Sequence, residues 1–317
     1  MLIESIQNQN IIKALEIVHE DELPPVFVPS YKNRKGTNIN RLGEIPSEVH
    51  LFIYDDDREN YPETFSDNVI VHEISKKDFE EMNLEWRGLC PKREYMLEYA
   101  KRNNIPKIIM LDDDISFDVW YADKARTTSV SNTKAKCSIW DGFRLLLRLA
   151  EKENWGVLGF AACELRCSHY NWKKILNENA YPCGAVVLNV EKLTDIHYSQ
   201  KFGKFMMEDL SINIECLKRN LKILVSDFMY FKTLISTGGK NSIASNNNVA
   251  YKSMLNSYIE YRDFMFLKIS KKGELRVAIN HKNIYNNINI VNDEFHEKLY
   301  QACIKCNVEE VFELLKR

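Results

Sequence analysis

The sequence lacks any apolar run that could cross a membrane. No stretch approaches the roughly 18 uncharged apolar residues that a spanning helix needs, although 45% of the 317 residues are hydrophobic. The first residues also lack the basic-then-apolar pattern of a signal peptide. We therefore expect a cytoplasmic chain without membrane contact, built around one large core with an appendage.

The sequence also lacks the signature of a disulfide framework or a complete zinc site. Its eight cysteines are scattered through apolar or mixed segments, as in proteins of a reducing compartment. Two close pairs, Cys163 with Cys167 and Cys303 with Cys306, could each supply half of a zinc site, but no matching half follows the required spacing. We interpret these cysteines as ordinary buried thiols.

Neither sign of charge is in clear excess. The formal net charge is −2 and the sequence pI is about 6.4. These values exclude a protein coated in positive charge, but a local basic groove would still be enough to bind nucleic acid phosphates.

After an N-terminal helical pattern over residues 3–20, short apolar runs alternate with helical segments. The clearest helices are predicted over residues 92–103 and 141–153, and a further helix follows Glu208. The apolar runs lie at residues 26–28, 49–54, 69–71, 108–111, 155–160, 185–189 and 223–225. Continuous runs of this kind predict strands buried on both faces, and therefore a mainly parallel sheet of the α/β class.

The composition changes after an asparagine run at residues 246–248. The pattern beyond it predicts a helix over about 251–269, a strand over 274–279 and a helical pair over 293–317. We therefore divide the chain into an N-terminal helix (1–22), a main domain (23–245) and a smaller, mainly helical C-terminal appendage (246–317).

The strongest local signal is the end of the apolar run 108–111 in Asp112, Asp113 and Asp114. In open α/β sheets the ligand crevice lies at the carboxyl ends of the strands. Adjacent carboxylates repel one another, so a cation such as Mg²⁺ or Mn²⁺ is their natural compensation, and it could hold a diphosphate. An acidic turn in solvent is the plain alternative.

A second alternative is a phosphatase motif. Asp112, Asp114 and Ser116 fit the DxDx[ST] pattern of haloacid-dehalogenase-like phosphatases, in which the first aspartate attacks phosphorus. That motif normally lies on the first strand, whereas at least two predicted strands precede it here.

Three other polar segments adjoin predicted elements. The run 26–28 leads into a turn with Ser30 and Arg34, which could meet a nucleotide. Glu208 and Asp209 open a helix, where they either suit the helix dipole or carry catalysis. Gly238, Gly239 and Lys240 could clamp a leaving diphosphate.

An ordered series of segments over residues 24–245 resembles the TET/JBP-associated glycosyltransferase family. The segments are PVFVPSYKNR, RGLCPKREYMLEYA, IIMLDDDISFDVW, WDGFRLLLRLAEKENWGVLGF, VVLNVEKLTDIHY, MEDLSINIECLKRN and STGGK. The resemblance implies a GT-A-like glycosyltransferase fold, with a mixed, mainly parallel sheet flanked by helices. It makes residues 23–245 the catalytic domain.

The resemblance also implies an activity. A sugar would pass from a UDP-sugar, with Mn²⁺ or Mg²⁺ as cofactor, to a hydroxymethylpyrimidine such as 5-hydroxymethylcytosine in bacteriophage DNA. The nucleotide sugar and the modified DNA would be the partners of the enzyme. A non-catalytic nucleic-acid-binding domain on the same fold is a further alternative.

The site residues implied by the resemblance fall into four groups. The donor would meet Pro29, Ser30, Tyr31, Arg34, Arg87, Arg93, Asp112, Asp113, Gly238 and Gly239, with Lys240 beside them. Asp112 and Asp114 would hold the metal. Glu208 and Asp209 would be the acidic pair near the acceptor, and either could be the base if the reaction inverts. Trp120 would contact the acceptor.

A basic loop over residues 123–138 follows the metal motif. It contains Lys124, Arg126, Lys134 and Lys136, which could contact DNA phosphates, although a loop of this composition is also ordinary in solvent.

Replacing Lys124, Arg126, Lys134 and Lys136 together by alanine should weaken DNA binding and flatten its salt dependence. Each lost phosphate contact reduces the slope of log affinity against log salt by about 0.9 for a duplex. The measurement is DNA affinity of wild type and variant across a salt series. Donor hydrolysis without acceptor should persist in the variant, and an unchanged slope would remove this loop from the DNA site.

Overall fold

The computed structural model describes residues 11–31, 44–113, 115–119, 139–161, 176–178, 180, 182–200, 208–233, 247–271, 273–280 and 294–316. Within these residues, no helix is both long enough and apolar enough to span a membrane.

Among the residues that the structure describes, nine strands form the main sheet. They are β1 (Val26–Pro29), β2 (Val49–Tyr54), β3 (Val69–Ile74), β4 (Ile108–Leu111), β5 (Ile115–Val119), β6 (Trp155–Ala161), β7 (Leu176–Asn177), β8 (Ala185–Leu188) and β9 (Lys222–Thr233). Their order is β3-β2-β1-β4-β8-β6-β9-β5, with β7 beside β9. Strands β1, β2, β3, β4, β6 and β9 point one way, and β5, β7 and β8 are antiparallel to their neighbours.

The predicted mixed, mainly parallel sheet is therefore confirmed. Each of the seven apolar runs forms a strand, and every residue of β1, β2, β4 and β8 is buried. Two strands, β5 and β7, were not predicted, and β9 extends well beyond the apolar run at 223–225.

Helices cover both faces of this sheet. They are α1 (Ile11–Ile17), α2 (Lys76–Glu81), α3 (Leu89–Arg102), α4 (Ile139–Ala150) and α5 (Glu208–Lys218). Helices α1 and α4 share a core with Val28 of β1, whereas α3 and α5 share a different core with Phe27. Successive strand residues point to opposite faces, so the two cores lie on the two sides of the sheet.

The order in which strands are added to the sheet reverses at the boundary between β1 and β4, although these two strands are parallel. From β1 the chain proceeds outward to β2 and β3, and it then returns to place β4 on the other side of β1. A ligand crevice forms at such a switch point, outside the carboxyl ends of the two strands. The residues that follow Pro29 and Leu111 therefore adjoin this crevice.

The N-terminal helix is observed as α1, and the earlier part of the predicted helix lies outside the described residues. The chain after α1 is fixed to α4 by polar contacts. Arg144 Nε donates to the carbonyl oxygen of Asp21 at 2.6 Å, and His19 Nδ1 lies 3.0 Å from Asp141 Oδ1.

The C-terminal segment has its own small core. It contains α6 (Asn247–Tyr261), β10 (Met265–Ile269), β11 (Leu275–Ile279), α7 (Glu294–Ile304) and α8 (Val308–Leu315). The predicted helix over 251–269 was wrong in its second half, because β10 pairs antiparallel with β11 and buries Met265 and Leu267 by strand alternation. The final helical pair was predicted correctly.

Tyr261 connects the C-terminal segment to the main sheet region. Its hydroxyl donates to Glu215 Oε1 at 2.8 Å, and its ring belongs to the core shared by α3 and α5. We propose the boundary near residue 246 as a division of the chain, with Tyr261 at the end of α6 in contact with the larger part.

The described cysteines are free thiols. Cys303 is buried as expected, but Cys306 is exposed at the end of a helix and does not fit our interpretation. Cys163 and Cys167 lie outside the described residues.

A histidine pair beneath α3 connects β2 with β3. His50 Nδ1 lies 2.8 Å from His72 Nε2, and His50 Nε2 lies 2.6 Å from Glu48 Oε1. The His72 ring packs on Phe52 and Tyr99. Burial and, to a smaller extent, neighbouring His50 lower the pKa of His72 to about 4, while Glu48 opposes the shift.

Because folded His72 stays neutral down to about pH 4, the free energy of unfolding should fall as pH decreases from about 6.5, where the unfolded histidine begins to bind a proton. His72→Gln should flatten this dependence between about pH 6.5 and 4. Urea unfolding at several pH values measures it, with His296→Gln as the control. Parallel curves for wild type and His72→Gln would contradict the expectation.

Candidate active site

The candidate site lies at the switch point between β1 and β4. Ser30 and Tyr31 directly follow β1, and Asp112 and Asp113 directly follow β4. The crevice is therefore lined by residues from two segments that were predicted separately from the sequence. Tyr31 and Asp113, one from each segment, are 82 residues apart in the chain.

Arg93 is the centre of a carboxylate cluster. Its guanidinium forms ion pairs with Asp112 and Asp209, and its Nη1 lies 3.3 Å from Glu208 Oε1. The Arg93 side chain is only 1% exposed, against 7% for Glu208 and 21% for Asp209. One buried cation from α3 thus joins the end of β4 to the first turn of α5.

The backbone behind this cluster fixes the same elements. The amide of Asp112 donates to the carbonyl of Gly184 at 2.8 Å, and Asn213 Nδ2 donates to the carbonyls of Pro182 at 3.0 Å and Asp209 at 2.6 Å. Pro182 approaches β6 at Gly159, where an added Cβ would stand 2.5 Å from Pro182 Cβ. Only glycine fits this approach without a shift.

Burial perturbs the acidic pair. It raises the pKa of Asp209 to about 7 and also raises the pKa of Glu208, while Arg93 opposes both shifts. A carboxylate whose pKa is near the working pH is suited to accept a proton.

A second polar cluster joins Asp113 to the turn after β1. Ser30 Oγ donates to Asp113 Oδ2 at 3.0 Å, and the Tyr31 amide donates to the same oxygen at 3.2 Å. Tyr61 Oη donates to Ser30 Oγ at 2.9 Å. Asp113 therefore holds the first two residues beyond β1 in a fixed position.

Lys92 lies beneath this second cluster. Its ammonium group donates to the Ser30 carbonyl at 2.6 Å and stands 3.7 Å from the centre of the Tyr54 ring. Burial lowers the pKa of Lys92 to about 7, and the Asp113 carboxylate is the largest of the influences that oppose the shift. An ammonium group this deeply buried is uncommon without a specific carboxylate or carbonyl partner.

The turn before α3 is also held by Tyr54. Tyr54 Oη donates to the Gly88 carbonyl at 3.1 Å and accepts from the Gly88 amide at 2.9 Å. Arg87 has a left-handed backbone with φ of 65°, and its guanidinium pairs with Asp56 and lies 5.7 Å from the Tyr54 ring. A non-glycine residue in this conformation is strained and is often found at functional sites.

The carboxylate at the end of β4 is of the kind that a hard divalent cation prefers. Among the described residues of this cluster, the Asp112, Glu208 and Asp209 carboxylates all lie near the Arg93 guanidinium. Carboxylate oxygens are the ligands that Mg²⁺ and Mn²⁺ prefer. Asp112 therefore offers one suitable ligand oxygen, and its predicted partner Asp114 lies outside the described residues.

The structure brings together many, but not all, of the predicted site residues. Pro29, Ser30, Tyr31, Asp112 and Asp113 meet at the switch point, and Glu208 and Asp209 join them through Arg93. Predicted residues outside the described part of the chain are Arg34, Asp114, Trp120, Lys124, Arg126, Lys134, Lys136, Gly238, Gly239 and Lys240.

Two predicted donor residues pair with carboxylates of the protein. Arg93 is enclosed by its carboxylate partners. Arg87 lies beside Asp56. Lys92, Tyr54 and Tyr61 were not among the predicted site residues, although Tyr54 ends the apolar run at 49–54 and Lys92 directly precedes Arg93.

The chain was compared with known proteins. Residues 25–240, more than half of the chain, match the model of the family described as TET-Associated Glycosyltransferase. No curated protein matches at a significant level.

Two solved structures have weak similarity to the chain. A crystal structure of GalNAc-T7 with UDP, GalNAc and Mn²⁺ has a TM-score of 0.46 and 12% identity, and covers 77% of this chain and 50% of its own. A mannose-1-phosphate geranyltransferase from Thermus thermophilus has a TM-score of 0.29 and 9% identity, and covers 74% and 63%. This chain spans only part of each, and neither TM-score is high enough to support a statement about activity.

Arg93→Met should destabilise the protein by about 3–5 kcal/mol, because it leaves buried carboxylates without their cation. The loss should be greatest at pH 8 and smaller at pH 5, since protonation relieves carboxylates whose folded pKa is raised above the unfolded value. Urea unfolding at both pH values measures this. Arg102→Met, on an exposed position of the same helix, is the control, and equal losses in the two variants would contradict the central role of Arg93.

Proposed function

The chain belongs to the TET-associated glycosyltransferase family and is therefore a glycosyltransferase, and we propose that it transfers a sugar from a UDP-sugar to a hydroxymethylpyrimidine in DNA. The proposed setting is the cytoplasm of a cell in which bacteriophage DNA is modified.

One observation carries this proposal. Asp112, at the end of β4, shares the Arg93 guanidinium with Glu208 and Asp209 at the start of α5. Under this proposal, Asp112 would bind the donor, and a carboxylate that could accept a proton lies in the same cluster, as an inverting transfer to a hydroxyl group would need. The switch point beside β1 supplies the usual position for a nucleotide in an open α/β sheet.

Asp112 and Asp114 would hold Mg²⁺ or Mn²⁺. When bound, the ion supplies positive charge to the diphosphate of the leaving nucleotide. Ser30 and Tyr31 form a turn after β1 that hydrogen bonds to Asp113 hold in place. The nucleoside would lie against this turn.

The reaction joins the acceptor oxygen to the anomeric carbon and breaks the bond between that carbon and the diphosphate oxygen. In an inverting reaction, Asp209 or Glu208 takes the proton of the acceptor hydroxyl. A retaining reaction needs no base on that face, and the pair would then orient the substrate.

A hydroxymethyl group at C5 of a pyrimidine lies in the major groove of a duplex, on a base that is held in the stack. Enzymes that act on a base commonly take it out of the stack, so the acceptor would be single-stranded DNA or a flipped base, with the basic loop at 123–138 near the backbone.

The direct test incubates the protein with Mn²⁺, a panel of nucleotide sugars and DNA containing 5-hydroxymethylcytosine, followed by digestion to nucleosides and mass spectrometry. A nucleoside heavier by one sugar residue supports the proposal. Transfer only to proteins or small molecules would overturn the acceptor, and hydrolysis of a generic phosphomonoester in place of sugar transfer would favour a phosphatase.

Variants of Asp112 and of Asp209 should have different effects on nucleotide binding and on sugar transfer. Asp112→Asn should lose both UDP affinity with Mn²⁺ and transfer, by about 100-fold or more, because ion-assisted charge stabilisation is worth several kcal/mol. Asp209→Asn should retain UDP affinity and lose transfer by about 10²- to 10⁴-fold if this residue is the base. Calorimetry and the transfer assay measure these effects.

Asp195→Asn is the control for both variants, because Asp195 is exposed and lies outside the cluster. Undiminished UDP affinity in Asp112→Asn would reject the metal assignment. Full transfer by Asp209→Asn would reject Asp209 as the base.

A further inference from the structure

Lys92 is a buried cation to which the proposed reaction gives no role. Lys92 is only 3% exposed, so neither the donor nor the acceptor could reach most of its side chain. Its contacts are to the Ser30 carbonyl and the face of the Tyr54 ring, and both lie on the donor side of the site.

These contacts connect three elements at one point. Lys92 comes from the first turn of α3, Ser30 follows β1 and Tyr54 ends β2. Tyr54 in turn holds both backbone groups of Gly88, where α3 begins. The ammonium group therefore fixes the position of the β1 turn relative to the start of the helix.

The same turn carries the donor-side hydrogen bonds. Ser30 Oγ and the Tyr31 amide both donate to Asp113 Oδ2, and Tyr61 supports Ser30. The buried Asp113 carboxylate requires a nearby positive charge or several hydrogen bonds. Lys92, whose ammonium group is bonded to the Ser30 carbonyl of the same turn, supplies a positive charge near this carboxylate.

We infer that Lys92 is a positioning residue of the donor site, which holds the Ser30–Tyr31 turn and Asp113 in the conformation that receives the nucleotide. This inference rests on the proposed function, because it assigns the donor to the crevice beside β1. Lys92 acts through the turn and does not contact the nucleotide.

The alternative is that Lys92 only stabilises the fold. Both alternatives predict a loss of stability in Lys92→Met, which keeps the length of the side chain and removes its charge. They differ in nucleotide affinity, because a purely stabilising residue changes the unfolding midpoint without changing affinity at a temperature where the variant is folded.

The experiment uses the full chain and two measurements. Lys92→Met should bind UDP in the presence of Mn²⁺ about 10- to 100-fold more weakly than wild type at a temperature well below its unfolding midpoint, the usual range for residues that orient a ligand-binding group. Arg102→Met, which removes an exposed cation from the same helix, should bind UDP like wild type. Equal affinity of Lys92→Met and wild type would overturn the inference.

A double-mutant cycle gives a readout that needs no nucleotide. Lys92→Met should lower Tm by an amount on the order of 5 °C, and Asp113→Asn should offset part of this loss, because the double variant no longer buries a carboxylate without its cation. Additive losses would show that Lys92 and Asp113 are independent and would overturn the inference. If wild type binds no nucleotide, the proposed function and the donor role of Lys92 both fail, whereas the cycle still measures the energetic coupling between Lys92 and Asp113.

Discussion

The arrangement of the site depends on the need of buried charges for partners. Removing a carboxylate or a guanidinium from water costs several kcal/mol unless opposite charge and hydrogen bonds replace the lost hydration. Arg93 meets this need for Asp112, Glu208 and Asp209 at once. The position of α5 against β4 is consequently fixed by the same contacts that bring these three carboxylates together.

Two adjacent residues of α3 serve two different clusters. Successive side chains of an α-helix point about 100° apart, so Lys92 and Arg93 leave the helix in different directions. Arg93 meets the carboxylates of β4 and α5, whereas Lys92 meets the turn after β1. The start of α3 thus sets the distance between the Ser30–Tyr31 turn and the acidic pair at the start of α5. Tyr54 fixes where α3 begins, through its hydrogen bonds to Gly88.

The sequence predicts the sheet well because strands such as β1, β2, β4 and β8 are buried on both faces and therefore appear as continuous apolar runs. It also places Asp112 at the end of a strand. Because that strand, β4, lies next to β1 in the sheet, Asp112 is at the switch point. It could not predict the partner of Arg93, because Asp209 is 116 residues away and no local pattern records that pairing. The helix predicted over 251–269 failed for a related reason: apolar residues at 265 and 267 suit either period, and pairing with β11 decides between them.

The exposure of the acidic pair distinguishes its two members within the proposed mechanism. Glu208 and Asp209 share Arg93, but adjacent positions in the first turn of α5 point in different directions. The Glu208 side chain is 7% exposed and the Asp209 side chain is 21% exposed. If this pair supplies the base of the proposed reaction, an acceptor hydroxyl would reach the more exposed Asp209 more readily, and Asp209 would be the better base. Glu208 then acts mainly as a buried partner of Arg93, which keeps the guanidinium, and through it Asp209, in place.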